Sequence, residues 1–251
     1  MKKASASTER KRKKGFSGPD NLKTELDPID EVIAQREKET VIEIISGGKT
    51  TARALELAFS AIIWAEHLVG RFESENRLPH PIACQPGCNF CCFHQVEVTP
   101  PEALLLGHHV ERNFSEDEKL ALAARLARSV NIKAGKSKQE IAQIRQELPC
   151  PFLGGGKCRV YPVRPLVCRA MHALDAGQCE AAFKSEDLIP VAHYAHRHEF
   201  IRSVVKGLLD GCRAMGCQSA SLDLAGALQD FCAASNPIEQ WIQGQKVFRA
   251  G

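Results

Sequence analysis

Seven cysteines in two short, turn-rich blocks constrain this chain more than any other feature. The first block is Cys84-Gln-Pro-Gly-Cys88-Asn-Phe-Cys91-Cys92. The second runs through Cys150-Pro-Phe-Leu153, Cys158-Arg-Val-Tyr161 and Arg164-Pro-Leu-Val-Cys168-Arg169. A chain of 251 residues with 44% hydrophobic content can build a core without cross-links, so these thiols are not the staples of a small secreted scaffold. The first fourteen residues carry the positive charge of a leader without an apolar run behind it, and the expectation is a cytoplasmic protein. Eleven cysteines, an odd number, in a reducing compartment point to metal ligands or free thiols rather than disulfides.

The formal charge of +3 is set by one end of the chain. Residues 1–26 hold eight Lys/Arg against three Asp/Glu, which leaves the remaining 225 at −2. The expected organisation is a disordered basic tail over 1–26 and a single helical domain over 27–251, with the cysteine region at 80–170. The tail is the only candidate contact for nucleic acid, and only Phe16 is interleaved with its charges, so no stacking surface for single strands is indicated.

Helix signals surround the blocks. Asp27-Pro28-Ile29-Asp30 reads as the start of a helix reaching about Ser46, with Gly47-Gly48 as its stop. The run from Val41 to Thr50 lacks the glycine of a phosphate loop, because Glu43 stands in its place. Thr51 to Val69 reads as a mostly buried helix whose polar stripe is Arg53, Glu56, Ser60 and His67. Its charges rule out a membrane span. Arg71 to Pro81 reads as a polar connection, and Gln95-Val-Glu-Val98 as a small strand. Capping boxes at Thr99/Glu102, Ser115/Glu118 and Ser137/Glu140 announce three helices between the blocks. Residues 149–169 read as loop. Helical patterning resumes over 196–215 and 219–234, and Asn236-Pro237 starts a last short helix. The fold class is mainly α, with capped helices around an irregular cysteine-lined metal-binding centre and little or no β.

Thiolate ligation needs several sulfurs converging at about 2.3 Å on an ion, or on the irons of a cluster. The turn at Gln85-Pro86-Gly87 can direct Cys84 and Cys88 inward together, and Asn89-Phe90 brings Cys91 round. Cys91 and Cys92 are adjacent and diverge, which leaves three readings: a second ion, a multinuclear cluster, or one buried thiol that binds nothing. Cys150, Cys158 and Cys168 complete the candidate metal ligands. Arg164 and Arg169 flank Cys168 and are candidates to compensate thiolate charge as hydrogen-bond donors around the cofactor. His172 is a possible mixed ligand. Cys179, Cys212, Cys217 and Cys232 read as buried free thiols. His67 reads as a polar-face residue, His108 and His109 as one interfacial and one solvent-facing, and His193, His196 and His198 as interfacial.

The ordered combination of Cys84-x3-Cys88-x2-Cys91-Cys92, Cys150-Pro-Phe-Leu153 and Cys158-Arg-Val-Tyr161-x2-Arg164-Pro165-x2-Cys168-Arg169 resembles the CxxCxxCC cysteine-cluster proteins, described as zinc- or iron-chelating. The resemblance covers roughly residues 80–170 and implies a metal-chelating domain with the seven cysteines as ligands. The signature is also similar to that of flagellin lysine methylases, which would imply an iron–sulfur cluster and S-adenosylmethionine. Cys84-x3-Cys88-x-Phe90-Cys91 fits the radical S-adenosylmethionine signature too, but capped helices and a second cysteine block follow it instead of strand–helix units.

Three function classes emerge. The first is a protein chelating zinc, iron or an iron–sulfur cluster, with a metal ion as its partner and no membrane. The second is an iron–sulfur-dependent enzyme, methyltransferase-like or redox. The third is a zinc-stapled adaptor that touches nucleic acid through its basic tail.

Overall fold

The structure, a computed structural model, describes residues 29–185 and 189–249. The tail expected over 1–26 and the cap expected at Asp27-Pro28 lie outside these residues. Ten α-helices and two pairs of two-residue strands make up the described part, so the chain is mainly α.

Helix α1 (Glu31–Ser46) starts at Asp30, whose carboxylate accepts the backbone N–H groups of Val32 and Ile33 at 2.9 and 3.1 Å. Gly47 ends it as expected. Helix α8 (Ala195–Ala214) lies against α1. The approach is close because α8 presents glycines four residues apart. A Cβ on Gly207 would stand 2.2 Å from the Ala34 carbonyl, and one on Gly211 would stand 2.5 Å from the Val41 side chain. Larger residues at either place would force the two helices apart.

Helix α2 (Thr51–Glu75) is capped by Thr50 and buries an alanine-rich face of Ala54, Ala58, Ala61 and Ala65 around Leu57. Its outer face departs from the mostly buried expectation: Phe59 is 45% and Ile63 66% exposed. The helix also runs past Val69 into the predicted connection. Arg71 and Glu75 form an i,i+4 ion pair at 2.9 Å, and Asn76 donates to the Phe72 carbonyl, so the polar turn is held helical.

The three capping boxes form as predicted and open α3 (Pro100–Asn113), α4 (Glu116–Lys133) and α5 (Lys138–Gln143). Strand β1 (Glu97–Val98) pairs antiparallel with the distant β4 (Leu222–Asp223), which leads directly into α9 (Leu224–Ala233). Gly107 of α3 admits the Phe231 ring of α9, which would lie 2.4 Å from any Cβ there. Helix α10 (Pro237–Ile242) inserts the fully buried Trp241. Its start differs from a standard cap, since Asn236 sits in the left-handed region (φ 59°) without a side-chain capping bond.

The expected loop at 149–169 contains short structure after all. Strands β2 (Leu153–Gly154) and β3 (Lys157–Cys158) form a hairpin closed by Gly155 and Gly156, both at positive φ, and α6 (Leu166–Ala170) follows. Helix α7 (Ala176–Lys184), started by Asp175, stands before α8.

Candidate metal centre

The first cysteine block is a loop whose N-terminal approach is pinned twice. The Ala83 N–H donates to the Ala173 carbonyl at 2.9 Å. The Tyr194 hydroxyl donates to the His80 carbonyl (2.6 Å) and accepts the His80 N–H (2.9 Å). After these ties Gly87 takes φ +95° and the Cys88 N–H closes on Gln85 O, so Cys84 and Cys88 flank a tight turn. A single 3₁₀ turn over Phe90–Phe93 then carries Cys91 and Cys92. Phe90 and Phe93 anchor it on Phe183 of α7, with ring centroids 5.6 and 4.7 Å apart.

The second block docks on the first through the backbone. The Cys150 N–H donates to the Cys92 carbonyl at 2.7 Å, and the Leu153 N–H to the Cys150 carbonyl at 2.9 Å. The hairpin places Cys158 opposite Leu153. Cys168 lies on α6, whose first N–H, at Leu166, is accepted by Oε1 of the buried Glu102 at 2.7 Å. The other oxygen of Glu102 takes the Thr99 N–H and hydroxyl at 2.8 Å. The capping box of α3 therefore also holds the helix that bears Cys168.

Cys84, Cys88 and Cys91 line one cavity of about 380 Å³. Cys150, Cys158 and Cys168 are half-buried against the core. Burial pushes the Cys150 thiol up to about 11, despite N–H donation from Phe152 and Leu153. Burial likewise raises Cys158, against the lowering effect of the Val160 backbone, and Cys84, against that of the Ala173 backbone. Cys168 rises through burial, reinforced by Cys150, Cys91 and Cys158. The Cys91 thiol is held at about 7 because the Cys92 thiol hydrogen-bonds to it, and Cys92 is raised by the same bond. Among the described residues no group of three or more Cys, His, Asp or Glu side chains is placed to hold a metal ion. The donor chemistry of these clustered thiols is nevertheless of the soft kind that zinc and iron take.

Residues 83–203 match the CxxCxxCC family, described as a "putative zinc- or iron-chelating domain". This segment belongs to that family. No curated protein and no solved structure matches the chain. The CxxCxxCC domain thus reaches beyond the expected 80–170, through α7 and into α8.

That extension brings in a thiol read from the sequence as a buried bystander. Cys179 on α7 lines the same cavity as Cys84, Cys88 and Cys91, and burial followed by the potentials of those three sulfurs raises it to about 11. A lone helical cysteine has no spacing signal. Its place is set by the packing of α7 on the 3₁₀ turn. Of the other three, Cys212 and Cys217 are buried as expected, and Cys232 is exposed instead.

Two arginines of the CxxCxxCC domain face the second block. Arg169, with a side chain 6% exposed, donates to the Pro162 and Arg164 carbonyls at 2.8 and 3.0 Å and pairs with Glu66. Arg164 stacks on the Tyr161 ring at 3.9 Å. The positive charge of each lowers Cys158, and that of Arg164 also lowers Cys91. The hydrogen bonds of Arg169 thus organise the loop, and its charge reaches the sulfur. A third cation was not foreseen. Arg145, 5% exposed, lines the cavity and donates to the Ala142, Ala182 and Ser185 carbonyls. No carboxylate among the described residues pairs with it.

The histidines divide. His172 has Nδ1 against the Ala170 carbonyl (2.7 Å), and its Nε2 accepts the Tyr194 N–H (2.8 Å), so both nitrogens are engaged. His196 bonds Glu73 at 2.9 Å and packs on Phe72. His193 and His198 line the cavity with His172. His67 is exposed, and His108 and His109 are both half-buried. Among the described residues no helix is long and apolar enough to cross a membrane.

Proposed function

We propose that this chain is a cytoplasmic metal-binding protein that chelates zinc or iron through its clustered cysteines, Cys84, Cys88, Cys91, Cys92, Cys150, Cys158 and Cys168, joined by Cys179. One observation carries the reading: the backbone bond from Cys150 to Cys92 seats two cysteine loops, far apart in sequence, against each other. Bound metal would supply a cross-link between them. The chain's own part is to hold the sulfurs, direct N–H groups at them, and offset negative charge with Arg164 and Arg169. The body from residue 27 onward acts as one domain in this reading, supported by a core to which the first and last helices both contribute.

The iron–sulfur-dependent enzyme, of methyltransferase or redox type, is the second reading. It is favoured by the cavity, because a site of structural role has no need of an open face. The adaptor reading depends on the tail, outside the described residues.

Anaerobic purification with metal and sulfide analysis and an absorption spectrum tests the proposal. Colourless protein with stoichiometric zinc supports the chelating site, and broad visible absorption with inorganic sulfide supports the cluster. Cys88→Ser and Cys158→Ser are each expected to lose metal, while Cys212→Ser retains it. Metal-free protein with all eleven thiols titrating would refute chelation.

A further inference from the structure

Arg145 differs from the other buried cations in what it is bonded to. It opens a short 3₁₀ turn (Arg145–Glu147), is 5% exposed, and lines the cavity of about 380 Å³. Its Nη1 donates to the Ala142 carbonyl at 3.0 Å, and its Nη2 donates to the Ala182 carbonyl at 2.8 Å and to that of Ser185. These bonds hold the guanidinium against the C-terminal end of α7 and occupy three of its five N–H groups. Each acceptor is a neutral carbonyl, so the formal charge is left uncompensated by the described residues. Arg169 and Arg197, the other well-buried arginines, are paired with the carboxylates of Glu66 and Glu73. A cation taken out of water without an anionic partner is costly, and an anion that enters from the cavity relieves the cost.

The walls of the cavity indicate what that anion carries. Among the described residues no Asp or Glu lines it, and Arg145 is the one Arg or Lys that does. A single fixed positive charge matches a singly charged carboxylate, whereas a phosphate dianion calls for more than one cation. The rest of the wall is largely apolar. Phe90 and Phe93 pack on Phe183 with ring centroids 5.6 and 4.7 Å apart, and Met171, Ile189 and Val191 add aliphatic surface. The volume falls in the range of pockets that enclose small organic molecules, about 300–1,000 Å³.

We propose that this cavity binds a small organic acid, a single carboxylate on an aromatic body, with Arg145 as the counter-ion and the phenylalanine-rich wall as the seat of the ring.

The assignment goes beyond metal chelation and does not depend on it. Cys84, Cys88, Cys91 and Cys179 line the same cavity, so the acid would lie beside these thiols. Its recognition needs only the charge of Arg145 and the apolar wall. Charge supplies the selection for an acid over its uncharged isostere, because a hydrogen bond to an ionised partner is stronger than one between neutral groups. The apolar wall supplies the selection for a ring over a bare carboxylate.

The test is isothermal titration calorimetry of the full-length reduced protein, as purified, with 4-benzoylbenzoate, 4-benzoylbenzamide and acetate, followed by photolabelling with the first. One 4-benzoylbenzoate per chain is expected, with the amide bound at least about tenfold more weakly and acetate giving no binding heat. Arg145→Gln keeps hydrogen-bond donors and removes the charge. It should bring the acid down to the affinity of the amide and leave the amide unchanged. On illumination the label should fall on Met171 or within residues 189–191. Should Arg145→Gln misfold, the comparison of acid and amide on the unaltered chain decides the matter. Equal affinity for acid and amide, no binding of the acid at millimolar concentration, or a folded Arg145→Gln variant that binds the acid undiminished overturns the proposal. So does label concentrated on the exposed Phe59 and Ile63 of α2, outside the cavity. Metal and sulfide content of the same sample decides chelation separately.

Discussion

Glu37 is a residue whose cost to the fold can be read from its surroundings. It lies on α1 beneath α8, 1% exposed, and neither carboxylate oxygen has a hydrogen-bond partner. Burial pushes its carboxyl up to about 7. A carboxyl raised in the folded state binds a proton there that the unfolded chain has released, so stability falls as pH climbs from about 4.5 to about 7 and is level beyond. The shift corresponds to roughly 3 kcal/mol. Glu37→Gln removes this slope. In urea unfolding across pH 4.5 to 8, the stability difference between variant and parent should grow by about that amount, and a constant difference would refute the assignment. The sequence showed Glu37 only as one charge in a polar-looking run, because its burial depends on Gly207 of a helix 170 residues away. Cys179 was hidden for the same reason, while the seven clustered cysteines advertised themselves by spacing.

Among the elements, α3 does more than its capping box announces. Thr99 and Glu102 were legible because the motif is local, and the bonds that form are the ones expected. The second oxygen of Glu102 was not legible, since the Leu166 N–H it accepts comes from another element 64 residues on. Glu102→Ala would strand buried donors at both Thr99 and Leu166, at about 2–4 kcal/mol in chemical denaturation. Because α6 bears Cys168, the same substitution should weaken metal retention, read as earlier loss to a competing chelator. Ser115→Ala deletes an exposed capping residue of the same kind and should cost only about 1 kcal/mol with retention unchanged. Equal effects of the two would mean that Glu102 acts as a cap alone. The lengthened α2 illustrates the converse limit: polarity suggested a connection where Arg71 and Glu75 sustain a helical turn.

Across the whole molecule, two kinds of cohesion divide the labour. The α1–α8 contact rests on glycine-mediated close packing, and Leu104, Leu105, Leu106 and Trp241 lie fully buried in the core. The cysteine loops have little comparable support: short turns, a two-residue hairpin, α6 and the half-exposed α7. Metal binding and local order should therefore be coupled in the loops and nearly independent of α1 and α8. Metal at about a hundred times its Kd contributes about 2.7 kcal/mol to the ordered state of the loops. Chelator treatment under reducing conditions should withdraw that stabilisation from the loops and leave the unfolding transition of the helical body in place. Hydrogen exchange should locate the loss, with amides of residues 84–98 and 149–184 exchanging at least about tenfold faster and those of α1 and α8 unchanged. Uniform acceleration through α1 and α8 would show that the metal supports the global fold, and no acceleration in the loops would show that they are ordered by packing alone.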